Sequence, residues 1–336
     1  MNGRVENDLK IFNKIESRLS DFPSYITDWY FYLKANGQSA MTCRDYINKI
    51  RLFLSYINEE IKYIELSEIN EAIVTQYFIS IQHKEGGVET SGSYKQGVWS
   101  CLNNFFDFLE SRGMMNKNLM ISSRIKRPKN KDIQRIDANR KLLTQNDFNK
   151  ILAAVENGAG SNKAKGYQRK FKSRDKCILL IFMTTGIRRT ALQEINVEDI
   201  DLTKQTLYVT DKGHKTHKFY LNDKTVSALE EWLLDRYSII NDFGGALFVS
   251  KEKKRMCGNS IVKIVDKYAR EGLGYHISPH KLRAGLVSIM YSQTRDIEFC
   301  RRAIGHSKIE TTQRYIVTNN DERERTAEMM ENLLNV

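Results

Sequence analysis

The sequence predicts a mainly α-helical chain of two domains, the second carrying one small antiparallel sheet. Three observations predict it. The length of 336 residues is too great for one ordinary domain and suits two. Apolar residues recur at helical spacing through the first third, and strand-like alternation returns only briefly in the second half. Hydrophobic residues make up 41%, enough to fill two cores, so a wholly disordered chain is excluded.

Residues 23–33 form an apolar and aromatic run that Asn36-Gly37 ends. Ser39 suits the cap of a second helix, in which Tyr46, Ile50, Phe53 and Ile57 fall on one stripe. Asn70 suits the cap of a third, with Ile73, Val74, Tyr77, Phe78 and Ile81 facing inward. After the Glu85-Gly86-Gly87 break, a fourth carries Val98, Cys101, Leu102, Phe105, Phe106 and Leu109, and Gly113 suits its C-cap. These helices and their short connections predict a compact bundle over residues 1–123. Residues 124–141 are basic, contain Pro128 and lack apolar periodicity, which predicts an interdomain linker lying along something negative.

Thr144 with Asp147 marks a helix start, so the second domain spans 142–336. Within it the basic stretch 158–172 reads as a loop before an apolar helix around 177–183. Residues 206–210 and 216–221 alternate and flank Asp211-Lys212-Gly213, a hairpin with Lys212 at its tip. Residues 246–250 suit one more strand, and 223–238, 258–270, 280–292 and 320–334 read as helix.

Lys and Arg number 53 against 41 Asp and Glu, a formal charge of +12. A surplus that large favours a polyanionic partner, either nucleic acid or an acidic membrane surface. No stretch approaches the roughly 18 apolar residues of a spanning helix, and the polar N-terminus has no signal-peptide core. The membrane option therefore recedes and DNA becomes the expected partner. Arg124, Lys126, Arg127, Lys129 and Lys131 of the linker are the candidate backbone contacts. The cysteines Cys43, Cys101, Cys177, Cys257 and Cys300 are scattered and never form a C-x-x-C pair. That argues against a disulfide framework and a zinc site, and reads as small buried hydrophobes in a reducing, cytoplasmic compartment.

Four segments of the second domain share one chemical theme. In Thr184-Thr185-Gly186-Ile187-Arg188-Arg189 an apolar helix breaks at glycine and two arginines follow, offering a planar, permanently charged fork to a phosphate. Lys212 can reach into a groove from its hairpin tip and donate a proton. In Ser278-Pro279-His280-Lys281-Leu282-Arg283, Ser278 suits an N-cap and Pro279 the first helical position. His280 and Arg283 then share one face of the first turn, beside the positive end of the helix dipole. The last segment is Ile304-Gly305-His306, with Tyr315 shortly after it. Each segment alone has an ordinary explanation as surface or core.

In order and spacing the four resemble the signature of the tyrosine recombinases, the phage-integrase and Xer type, and the resemblance covers roughly residues 20–330. It implies the DNA breaking-rejoining enzyme fold, with a helical core-binding domain over 1–123 and a catalytic domain over 142–336. It implies a catalytic set of Arg188, Lys212, His280, Arg283, His306 and Tyr315. Tyr315 would attack a phosphate and form a 3′-phosphotyrosyl link. Arg188 and Arg283 would clamp the non-bridging oxygens, and His306 would add a hydrogen bond to the phosphate. Lys212 would protonate the departing 5′-oxygen and His280 would accept the tyrosine proton. Whether Lys212, Lys215 or Lys218 is the acid stays open. Two arginines, a lysine and two histidines can neutralise the charge without a metal, so no metal or cofactor is expected.

The tail residues Met329, Met330, Leu333 and Leu334 make an apolar stripe, which the family reading docks into a neighbour within a homotetramer on recombining DNA sites, with room for accessory factors. Residues 1–20 are too few for a further arm-binding domain, which points to an Xer-like enzyme acting at the nucleoid. The sequence departs from the family pattern at Ala191, where an acidic residue is common, and at Ala284, where histidine is frequent. A type IB topoisomerase and a non-catalytic DNA-binding protein are the rival readings.

Overall fold

The computed structural model describes residues 3–60, 65–83, 87–129, 142–210, 216–242, 244–306, 309–313 and 330–331. The chain divides into two compact units, one of Val5–Asn139 and one of Arg140–Val336 joined by Met1–Arg4. No helix among the described residues is long and apolar enough to cross a membrane.

Among its described residues the first unit is helical apart from an isolated bridge between His83 and Glu89: α1 (Gly3–Glu16, whose first two residues belong to the other unit), α2 (Ser24–Ala35), α3 (Ala40–Glu60), α4 (Glu71–Ser80), α5 (Gly92–Ser111) and the short α6 (Leu119–Ser122). Local chemistry sets the starts. Thr42 N donates to Ser39 Oγ at 3.2 Å, and the Asn70 side chain accepts from Ala72 N and Ile73 N. The apolar stripes meet in one core around Trp29, Tyr30, Phe53, Phe105 and Phe106. Trp29 packs edge-on against Phe105 at 5.1 Å, while its ring N–H donates to Asn104 Oδ1 at 2.9 Å, so a large ring is buried with its polar atom satisfied. Helix α1 adds to the expected bundle. Its Ile11, Phe12 and Ile15 join the core, and its Glu16 accepts from the Tyr30 hydroxyl at 2.8 Å.

The second unit opens with α7 (Gln145–Asn157), started by the Thr144–Asp147 capping box. The basic stretch expected as loop contains a helix, α8 (Asn162–Arg169). Ser161 caps it, and Gln168 both accepts from Ala159 N and donates to Ala159 O, closing the segment on itself. Helix α9 (Lys172–Thr185) is buried on nearly every side: its apolar run 177–183 has no polar face, and the polar Ser173, Arg174 and Asp175 of its first turn are buried too. Then come α10 (Arg189–Glu194), strands β1 (Ile200–Asp201), β2 (Thr206–Thr210) and β3 (Thr216–Tyr220), α11 (Asp223–Ile240), α12 (Gly258–Leu273), α13 (Pro279–Thr294), α14 (Ile297–Ala303) and α15 (Ile309–Gln313).

The sheet is antiparallel in the order β1-β2-β3, with Val209 opposite His217. Residues 246–250 do not form the expected strand. Ala246 and Val249 make only isolated bridges, while the carbonyls of Ala246 and Leu247 accept from Arg236 Nε and Trp232 Nε1 of α11. Side chains thus take backbone acceptors that a strand partner would need. Cys43, Cys101, Cys177 and Cys300 are buried and free, whereas Cys257 is exposed, contrary to the buried reading of all five cysteines.

Candidate active site

Three breaks in the chain of the second unit converge on one place. The first ends α9. Thr184 and Thr185 return their hydroxyls to Leu180 O and Ile181 O, at 2.8 and 2.6 Å, and Gly186 then turns at φ 61°. Glycine is required there: besides the positive φ, a Cβ would lie 3.1 Å from Leu286 Cδ2 and 3.3 Å from Ile304 Cγ2. The turn delivers Arg188 to the N-cap position of α10, extended and half-buried.

The second break is the first turn of α13. Pro279 takes the first helical position as expected, but the Ser278 side chain makes no capping hydrogen bond. His280 is exposed, and Arg283, one turn on, is only 2% exposed. The third break is the Ile304-Gly305-His306 turn after α14, with Gly305 at φ 70°.

Arg283 joins all three. Its Nη1 donates to Gly186 O, its Nη2 to Ile304 O at 2.9 Å, and its Nε to His306 Nε2 at 3.2 Å. A rigid fork of five donors suits a buried site with acceptors on several sides. Because an arginine Nε only donates, His306 Nε2 must accept, and the ring proton sits on Nδ1, facing Thr312 Oγ1 at 3.0 Å. The His306 carbonyl accepts from Arg301 Nη1 at 2.6 Å.

Burial, then the charges of Arg283, Arg188, His280 and Arg301, push the His306 imidazole down to about 3. The ring is therefore neutral at physiological pH. Unfolded, it would take a proton near its ordinary value of 6.5, which the folded state refuses down to about 3. Its contribution to stability is thus full above the unfolded value and is lost as pH falls through this window. We expect the urea midpoint of the native chain to drop between about pH 7 and about pH 4, and His306→Gln to flatten part of that drop. Equal slopes in the two proteins would remove His306 as the cause.

Arg188, Arg189, His280 and Arg283 line a cavity of about 250 Å3. A crevice of about 10 Å3 is lined by Arg188, Arg283, Ala191 and the β3 side chains His217 and Phe219. His217 was not among the expected site residues. Its ring lies against the third break, since a Cβ on Gly305 would meet His217 Cε1 at 3.4 Å. Strand alternation was the available signal, because it puts His217 and Phe219 on one face. Arg301, which holds the His306 backbone, left no sequence signal, since a turn-to-side-chain contact has no period.

Of the expected set, Arg188, His280, Arg283 and His306 come together. Lys212 and Tyr315 lie outside the described residues, as do Lys131, Met329, Leu333 and Leu334. Met330 is exposed, and so are Arg124, Lys126, Arg127 and Lys129. The start of the basic segment is held on α5, where Trp99 Nε1 donates to Ile125 O at 2.8 Å and Gln96 Nε2 to Pro128 O at 2.7 Å.

Residues 141–322 match the model of the phage integrase family. Tyrosine recombinase XerC of Thermodesulfovibrio yellowstonii is 30% identical over 302 residues, covering 87% of this chain and 90% of that protein. The chain belongs to the phage integrase family. It is a tyrosine-type site-specific recombinase that acts on DNA. The same fold is found in XerH recombinase bound to a palindromic difH substrate after cleavage, with a TM-score of 0.62 at 18% identity over 89% of this chain and 82% of that one. It is found too in a lambda integrase tetramer bound to a Holliday junction, with a TM-score of 0.61 at 17% identity over 87% and 76% of the two chains.

Two positions depart from the family pattern, and their surroundings differ. Ala191 is 4% exposed beside the crevice, and Ala284 packs with Val287, Cys300 and Ile304. A charged group at 284 would need a partner that these apolar neighbours do not supply, whereas an acidic group at 191 would face Arg188 and Arg283 across the crevice.

Proposed function

We propose that this integrase-family chain cuts DNA by attack of Tyr315 on the scissile phosphate and rejoins it through a 3′-phosphotyrosine and a Holliday junction. The observation that carries the reading is Arg283, which lines one cavity with Arg188 and His280 and holds His306 through its Nε. The Tyr315 oxygen bonds to phosphorus as the bond to the 5′-oxygen breaks. His280 takes the phenol proton and Lys212 gives one to the leaving oxygen, so a 5′-hydroxyl departs. Arg188 and Arg283 neutralise the charge that builds on the non-bridging oxygens. His306 orients Arg283 through Nε2, and in the tautomer that carries the proton on Nε2, with Nδ1 accepting from the Thr312 hydroxyl, its ring would donate a hydrogen bond to the phosphate. The phosphotyrosine conserves the bond energy, so rejoining needs no nucleotide.

In this reading the bundle 1–123 is a core-binding domain, and the linker cations Arg124, Lys126, Arg127, Lys129 and Lys131 follow the duplex backbone. Four copies join two sites, with the Met329, Met330, Leu333 and Leu334 stripe docked on a neighbour, in the cytoplasm at the nucleoid. The solved tetramer of a protein with the same fold on a Holliday junction supports the assembly.

The test is a nicked suicide duplex carrying the cognate site, run on a denaturing gel. Wild type should give a covalent protein–DNA adduct, and Tyr315→Phe should bind the same duplex and give none. An adduct that persists in the variant moves the nucleophile elsewhere. No adduct from either, despite tight binding, turns the reading to a non-catalytic DNA-binding protein.

A further inference from the structure

The bundle has a second strongly charged feature, away from the linker. Between α1 and α3 lies a groove of about 490 Å3, lined by Lys10, Lys14, Arg18, Arg44 and Arg51 and by no carboxylate. All five are exposed. Lys10 pairs with Glu6, but no ion pair holds Lys14, Arg18, Arg44 or Arg51 among the described residues. The floor is apolar, made by Ile11, Ile15 and Ile47. Five exposed cations with no facing carboxylate give the groove a positive field that attracts a polyanion.

The groove faces away from the linker. Residues 125–128 are tied to α5 at Trp99 and Gln96, and the Lys49 side chain of α3 lies against α5, 3.0 Å from where a Cβ on Gly97 would be. Arg44 and Arg51 stand roughly 140–160° around α3 from Lys49, at 3.6 residues per turn. A duplex running along the linker cations lies on the α5 side, whereas this groove opens on the α1 side.

We propose that the α1–α3 groove binds the phosphate backbone of a second stretch of DNA, distinct from the duplex that the linker follows. The arrangement fits a strand. Lys10 and Lys14 stand about 6 Å apart along α1, and Arg44 and Arg51 about 10 Å apart along α3, from a rise of 1.5 Å per residue. Two rows of cations at those intervals can neutralise successive phosphates, and the two arginines can each grip one through a fork. The identity of the polyanion rests on the recombinase reading, but the binding does not depend on strand cleavage.

The experiment is capture of a second duplex. Full-length protein is first saturated with an unlabelled cognate-site duplex, and a labelled 20-base-pair mixed-sequence duplex is then titrated by fluorescence anisotropy across a salt series. Wild type should capture the second duplex. Arg44→Gln/Arg51→Gln should weaken that capture about tenfold and lower its salt slope by about 2, with first-duplex affinity unchanged. Both positions are exposed, so the variant should fold, and a circular dichroism melt checks that. The proposal is overturned if wild type captures no second duplex, or if the variant captures it equally well. It is overturned too if the variant loses the first duplex to the same extent, or if polyglutamate fills the groove in preference to DNA. Failure of the Tyr315 test would leave each of these outcomes readable, since none requires an adduct.

Discussion

Arg283→Lys should lower the single-turnover rate of adduct formation by about 10²- to 10³-fold, the loss typical of removing one preorganised donor from a charged transition state. A lysine keeps the charge but is a point donor on a flexible stem. It cannot reach Gly186 O, Ile304 O and His306 Nε2 together, as the guanidinium does. Arg283→Ala should do more. It strands three acceptors in a site where the arginine itself is 2% exposed, at about 1–3 kcal/mol for each group left unsatisfied. Cleavage on a nicked substrate and the thermal midpoint would be measured on both variants. The two readouts should separate: lysine should lose mainly rate, alanine rate and stability together. A lysine variant cleaving at the wild-type rate would remove Arg283 from the phosphate clamp.

The second large effect is expected well inside the catalytic unit. Asp175, near the start of α9, is 1% exposed and accepts from Arg174 Nη2 at 2.8 Å, Lys267 Nζ at 3.0 Å and the Tyr268 hydroxyl at 3.0 Å. Arg174 is itself 8% exposed and spends Nη1 on Val249 O at 2.9 Å. Asp175→Ala leaves a buried guanidinium without its counter-charge, a class of change that costs about 3–5 kcal/mol. Asp175→Asn, which can still accept from Tyr268, should cost less. Urea unfolding at neutral pH measures both. A wild-type midpoint for the alanine variant would show that this cluster does not anchor α9 to α12. Burial and then the nearby Asp175 charge push the Tyr268 hydroxyl far up, so it stays a donor throughout the pH range of such an experiment.

These two predictions bear on one design. Helix α9 must end at a fixed place, because Gly186 and Arg188 follow directly from its last turn. Asp175 fixes one end of that helix against α12, and Arg283 fixes the other through Gly186 O. A phosphate clamp needs donors that do not reorganise during the reaction, and an anchored helix supplies that rigidity.

Much of the fold was legible because its signals are local. Ser39, Asn70 and the Thr144–Asp147 pair cap helices where expected, since a side chain and the amides it caps lie within one turn of sequence. The stripe through Ile50, Phe53 and Ile57 is buried as its period implies. The failures have the opposite character. Helix α8 hid in a basic stretch because its closure depends on Gln168 reaching back to Ala159. Residues 246–250 are a short apolar run that suits a strand, yet Trp232 and Arg236 take the carbonyls of Leu247 and Ala246. The charge of 158–172 and the apolar run of 246–250 are real patterns, but side-chain contacts reaching nine to fifteen residues along the chain, beyond any local period, overrode them.

The sequence by itself determined the family, the helical class, the hairpin and the residue types that meet at the site, because each of these is written in spacing that one element can carry. Only the tertiary structure decided how those residues are used. It buried Arg283 and left His280 exposed one turn away, made His306 a neutral acceptor, and brought His217 to the Gly305 turn from a separate strand. The physical reason is that burial, protonation and donor direction depend on which remote groups close around a side chain, and no local period encodes them.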